Sequence, residues 1–101
     1  MNRQEAYTIV SAVLERYRDL GFHNLRSRVG TTASEDILGP SGIRYTIDVF
    51  IAWSDLQRRI LDVRGRIDDQ NTFHFAPLEE RIHITNPDHL KPHRAKTVRA
   101  R

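Results

Sequence analysis

Residues 2–20 carry apolar side chains at intervals of three and four: Ala6, Ile9, Val10, Val13, Leu14, Tyr17 and Leu20. On a helix these positions form one stripe, with Gln4, Glu15, Arg16, Arg18 and Asp19 mostly off it, which predicts an amphipathic helix. Asn2 and Glu5 have the spacing of a reciprocal cap, in which the Asn side chain takes an amide near position 5 and Glu5 reaches back. Gly21 follows as the left-handed residue that ends the helix, and Phe22 is placed to fold back on the last turn.

From residue 43 onward the period is two. Ile43, Tyr45, Ile47, Val49, Ile51 and Trp53 share one face, and Arg44, Thr46, Asp48, Phe50 and Ala52 the other, which predicts a strand over residues 43–53. Residues 54–58 read as a short loop with Arg58-Arg59 at the hairpin tip. A second strand over residues 59–68 turns Leu61, Val63, Gly65 and Ile67 inward. Asp68-Asp69-Gln70-Asn71-Thr72 reads as a turn, and residues 73–85 as the last strand. In that strand the apolar phase flips near Ala76-Pro77-Leu78, which predicts a bulge where proline is tolerated. Before these elements, residues 24–38 alternate more weakly: Leu25, Val29, Ala33 and Ile37 against Arg26, Arg28, Gly30, Ser34 and Asp36. That predicts a long, irregular edge strand interrupted near Gly30, followed by a Gly39-Pro40-Ser41-Gly42 turn.

The order of elements predicts an α+β fold: an N-terminal helix packed on one face of a three- or four-stranded antiparallel meander. Closing the central hairpin by pairing Trp53 with Arg59 sets Arg44 opposite Asp68, Asp48 opposite Arg64 and Phe50 opposite Asp62. That register creates two cross-strand ion pairs on the outer face. It also leaves Phe50 and Ile60 as a small apolar centre within a charged rim.

At 101 residues the chain is expected to hold a single domain over residues 1–87, with a basic, disordered tail over 88–101. The tail holds the basicity. Residues 1–85 carry 11 Lys+Arg and 12 Asp+Glu, whereas the last sixteen carry five bases, including both lysines, and one acid. The overall charge of +3 therefore says little about the body as a nucleic-acid binder. The longest apolar run, residues 49–53, is far short of a membrane span, and no secretory signal is readable, so no membrane partner and a cytoplasmic location are expected. The absence of cysteine excludes disulfides, thiolate metal sites and cysteine nucleophiles.

Candidate chemistry is sparse. His89 and His93 have helical metal-ligand spacing, but Pro92 between them makes the helix poor. His74 and His83 sit in the polar phase of the last strand, and His23 at the helix exit; each is read as structural or solvated. Adjacent carboxylates at Asp68-Asp69 and Glu79-Glu80 point to opposite faces and cannot share a ligand. Glu80 stands out because it lies in the phase of Leu78, Ile82 and Ile84, on the core face. No nucleotide loop, nucleophile elbow, zincin helix or calcium loop occurs, and no cofactor is expected.

Three readings of function follow, in order of preference. The first is a non-enzymatic module binding a protein partner, most simply as a homodimer, through its sheet face or edge, with Phe50, Ile60, Arg44, Arg64, Arg66 and Arg81 as the surface. The second is a small-ligand pocket or minor enzyme between helix and sheet, built on Tyr45, Glu80 and His83, with Arg81 beside them. The third, nucleic-acid binding through the tail with Arg26, Arg28 and Arg66, is disfavoured by the body's net charge of −1.

Overall fold

The computed structural model describes residues 2–70 and 77–88, and opens with helix α1 (Arg3–Leu20). Asn2 caps it, its side chain accepting the Glu5 amide at 3.0 Å. The reciprocal half of the expected cap is absent, because the Glu5 carboxylate reaches across to the sheet instead. Gly21, at φ 85°, ends α1 and at once starts the one-turn helix α2 (Phe22–Arg26). Phe22 and Leu25, three apart on α2, both turn into the core; Phe22 meets Trp53 with ring centroids 5.9 Å apart. The strand expected from residue 24 therefore starts only at Thr32, after a turn through Gly30. The helical break at Gly21 re-aims the chain, and the apolar Leu25 serves a helix rather than a strand.

Among the described residues four strands follow: β1 (Thr32–Leu38), β2 (Arg44–Trp53), β3 (Ile60–Asp69) and β4 (Leu78–Thr85). They form one antiparallel sheet in sequence order, with β1 and β4 outermost. The fold is α+β, with the helices on one face of the sheet. β3 runs through Asp68 and Asp69, so these residues belong to a strand rather than to the expected turn. The expected bulge at residues 76–78 falls partly outside the described residues, as do the start of the last strand and, beyond Asp88, the tail.

The helix-facing side is the core. Tyr45, Ile47, Val49 and Ile51 of β2 and Leu61, Val63 and Ile67 of β3 are buried in one cluster with Ala6, Val10, Val13 and Leu14 of α1 and Phe22 and Leu25 of α2, and α1 lies chiefly over β3 and β4. Burying seven such side chains from the two central strands contributes roughly 1.5–3 kcal/mol each before conformational entropy is counted. Gly65 sets how near the helix can come: a β-carbon there would lie 2.8 Å from Val10 Cγ2 and 3.2 Å from Leu14 Cδ2.

The β2–β3 register differs from the expected one by two residues. Asp48 pairs with Arg66, Phe50 with Arg64, Ile51 with Val63 and Trp53 with Leu61. The cause lies in the connecting loop. Ser54 still bonds across to Ile60, its amide donating to the carbonyl at 2.8 Å, so the hairpin closes one pair further out. The Asp55 carboxylate then accepts the amides of Arg59 at 2.9 Å and Ile60 at 3.0 Å, and Arg58 takes a positive φ of 58°. Burial works against ionisation of Asp55, but those two amides and the Arg59 guanidinium hold its carboxyl below the usual range. Because the slip is even, every side chain keeps its face. Only its cross-strand neighbour changes.

Candidate functional site

Strand alternation and the observed register define the outer face row by row. One row reads Thr32, Phe50, Arg64, Arg81 across the four strands; the next reads Ser34, Asp48, Arg66, Glu79. On one side of these, Ala52, Asp62 and His83 form a row; on the other, Asp36, Thr46 and Asp68. All six residues of the proposed surface (Phe50, Ile60, Arg44, Arg64, Arg66 and Arg81) belong to this face. They do not form the apolar centre expected of them. Asp62 lies between Phe50 and Ile60 along the face, and two such steps separate the pair by about 13 Å.

Asp62 occupies the centre that the apolar pair leaves. It is buried, with its residue only 7% exposed. Arg81 Nη1 lies 3.5 Å from its carboxylate, Arg64 Nη2 3.9 Å, and His83 Nε2 3.4 Å. Neither Asp62 Oδ1 nor Arg64 Nε, both buried, has a hydrogen-bond partner among the described residues. Arg64 also reaches Glu79 at 4.0 Å and lies over the Phe50 ring, 5.7 Å from its centroid. A guanidinium thus covers the aromatic ring, and the buried carboxylate keeps the facing Arg64 and Arg81 from repelling each other. Sequence reasoning missed Asp62 because its surroundings depend on the β3–β4 register. Its one early signal was an acid in a strand whose neighbours on that face, Ile60 and Arg64, are large.

Other charges on the face remain available. Arg44 and Arg66 make no ion pair with a described residue. Asp48 accepts from the Ser34 hydroxyl at 2.5 Å and Asp36 from the Thr46 hydroxyl at 3.0 Å. A shallow depression of about 220 Å³ runs over Phe50, Arg64, Arg66, Asp48, Thr32 and Glu79. Another, of about 330 Å³, lies beside Thr46, Asp48, Arg66 and Asp68.

The pocket set is not assembled. Tyr45 is fully buried under the helix, while His83 is exposed on the opposite face of the sheet. Glu80 is half-buried on the helix side of β4, beside Tyr7, Ser11, Glu15 and Ile82, where a surface groove of about 300 Å³ meets it. Arg81, expected beside the pocket, lies on the outer face with Asp62. The Tyr45 hydroxyl is spent on the fold. It donates to Glu5 at 2.8 Å, and Ser41 donates to the same carboxylate through its hydroxyl at 2.6 Å and its amide at 2.9 Å. Burial, and then Glu5, push the Tyr45 phenol up to about 12. This cluster ties the start of α1 to the β1–β2 turn.

Among the described residues, no group of three or more histidines and carboxylates could hold a metal ion. His74, His89 and His93 lie outside those residues. His23 is exposed, 3.3 Å from the Asp88 carboxylate. Arg26 and Arg28 belong to α2 and the turn after it, while Arg66 lies in the middle of the sheet. No described helix is long and apolar enough to cross a membrane. Comparison of the chain with protein-family models, with curated proteins and with solved structures finds no match in any of the three.

Proposed function

We propose that this domain is a non-enzymatic protein-interaction module whose working surface is the outer face of the sheet. The observation that carries the reading is the composition of that face around Asp62. A phenylalanine in a central strand lies under an arginine, a buried carboxylate is ringed by basic groups, and further charges of both signs have no ion-pair partner among the described residues. Such a face is expensive for a purely solvated surface, because it holds buried polar atoms without hydrogen bonds. It suits a protein interface, where arginine and aromatic residues are enriched and a partner can complete the polar contacts. The mixed signs favour a protein over a polyanion, whose phosphates would meet Asp48, Asp62, Asp68 and Glu79 as well as the arginines.

In-cell photocrosslinking tests the reading. A photoreactive side chain in place of Phe50 or Thr46 should yield a defined protein adduct, and one in place of Ala12, exposed on α1, should not. Adducts from position 12 alone, or none from the sheet, would rule the outer face out as the working surface.

A further inference from the structure

We infer that the outer face binds a second copy of this chain about a two-fold axis parallel to the strands, midway between β2 and β3. The inference rests on the reading above and names its partner. A half-turn about that axis leaves position along the strands unchanged and exchanges β2 with β3. Each outward residue of β2 therefore lies over its own cross-strand partner in the second copy. Thr46 meets Asp68, Asp48 meets Arg66, Phe50 meets Arg64, and Ala52 meets Asp62. Hydroxyl faces carboxylate, carboxylate faces guanidinium, and an aromatic ring faces guanidinium. No like charges meet on the two central strands, and each contact occurs twice because the interface is isologous.

The partners in the decisive contact have charge to spare. Arg66 is exposed and makes no ion pair with a described residue, and among the described residues the Asp48 carboxylate is bonded only to the Ser34 hydroxyl. Stacked sheets cross at about 30°, so the axis bisects the two strand directions and alignment holds best at the centre of the contact, where Asp48 meets Arg66 and Phe50 meets Arg64. Face-to-face sheets sit about 10 Å apart, a gap that arginine and phenylalanine side chains can fill. Four strands of seven to ten residues present about 550 Å² per copy, or about 1,100 Å² in total, near the lower limit for a specific interface. The dimer is accordingly weak, with a dissociation constant on the order of 10 μM. The face is a better site for self-association than the β1 edge. Fully overlapped antiparallel pairing of two β1 strands would set Glu35 opposite Glu35.

Sedimentation equilibrium on a charge-swapped pair tests the two-fold directly. Wild type should dimerise in the micromolar range. Asp48→Arg and Arg66→Asp should each weaken self-association at least about tenfold, a loss of about 1.4 kcal/mol, because each sets like charges over one another. Mixed together, the two variants should form a heterodimer, since arginine at 48 then meets aspartate at 66 and the unaltered Asp48 meets Arg66. Circular dichroism checks that each single variant is folded, and the double variant Asp48→Arg/Arg66→Asp, which restores both the sheet pair and the interface, should dimerise like wild type. A wild type that stays monomeric up to about 0.5 mM, a dimer that both single variants retain, or folded variants that fail to associate on mixing would each overturn the inference. Sheet-face crosslinks to a different protein, with a monomeric wild type, would overturn the second copy as partner and leave the interaction face standing. Loss of both would remove the face as well.

Discussion

The two faces of the sheet obey different rules. The helix side is specified by volume: apolar residues at every second position, closed by α1 and α2, with Gly65 admitting the helix. The outer side is specified by pairing, and its chemistry depends on which residues stand opposite. A register shift of two residues leaves the helix side almost unchanged, since Ile51 meets an apolar residue whether that is Leu61 or Val63. On the outer side the same shift replaces Asp62 by Arg64 as the neighbour of Phe50. A core tolerates an even slip and a polar face does not, so this face carries the more specific information.

Perturbing each face in turn sharpens the contrast. The largest effect belongs to the helix side. Gly65→Val forces a branched side chain against Val10 and Leu14 and should destabilise the domain by about 3 kcal/mol in urea unfolding. An unchanged midpoint would mean that α1 does not press on β3 there. On the outer side, Asp62→Ala leaves Arg64 and Arg81 facing each other without their carboxylate. A loss of about 1–2 kcal/mol is expected by thermal melting, against nearly none for Glu79→Ala on the exposed margin of the same network. Smaller still is the register itself. A double-mutant cycle on Asp48 and Arg66, run well below the association range, should show coupling of about 0.5 kcal/mol, and one on Asp48 and Arg64 none. The reverse result would restore the other register.

The smallest effect lies where the helix side meets the β1–β2 turn. Hydrogen bonds from the Ser41 and then the Tyr45 side chains, opposed by partial desolvation, hold the Glu5 carboxyl below its ordinary value of 4.5. The folded chain therefore binds that proton less readily than the unfolded chain. The stability this contributes is complete above pH 4.5 and is lost as the pH falls through the lower folded value. Glu5→Gln should flatten the acid limb of the melting-temperature profile and leave its shape near neutrality unchanged. An identical acid limb in both proteins would assign that limb to other carboxylates.

The elements most legible in the sequence were those that repeat one rule over many residues. The stripe from Ala6 to Tyr17 and the alternation from Tyr45 to Ile67 correctly assigned faces, strand directions and the α+β class, whereas Leu20, the last position of the expected stripe, is exposed. What escaped depended on single residues acting at a distance. Asp55 sets the register with a carboxylate folded back on two amides, a contact that no periodicity records. Gly21 turns an expected strand into α2. Glu5 satisfies the spacing of a local cap, yet its carboxylate goes to Ser41, thirty-six positions on. The six surface residues were placed on the right face because facing needs only parity. Asp62 was missed because its three basic neighbours come from its own strand and from β4, and they converge only once that pairing is known.

The meander has a consequence for synthesis. Every strand of this sheet pairs with its neighbour in sequence, so hairpins can close as soon as their two strands exist. Helix α1 cannot follow that schedule, because the strands it packs against, β3 and β4, come last. During translation its apolar stripe is made first and waits for β3 and β4, which end at Thr85, to emerge before the surface that covers it exists. For that interval the nascent chain presents Val10, Val13 and Leu14 to whatever is nearby. Chaperone dependence in this protein is therefore expected to concentrate in the helix rather than in the sheet.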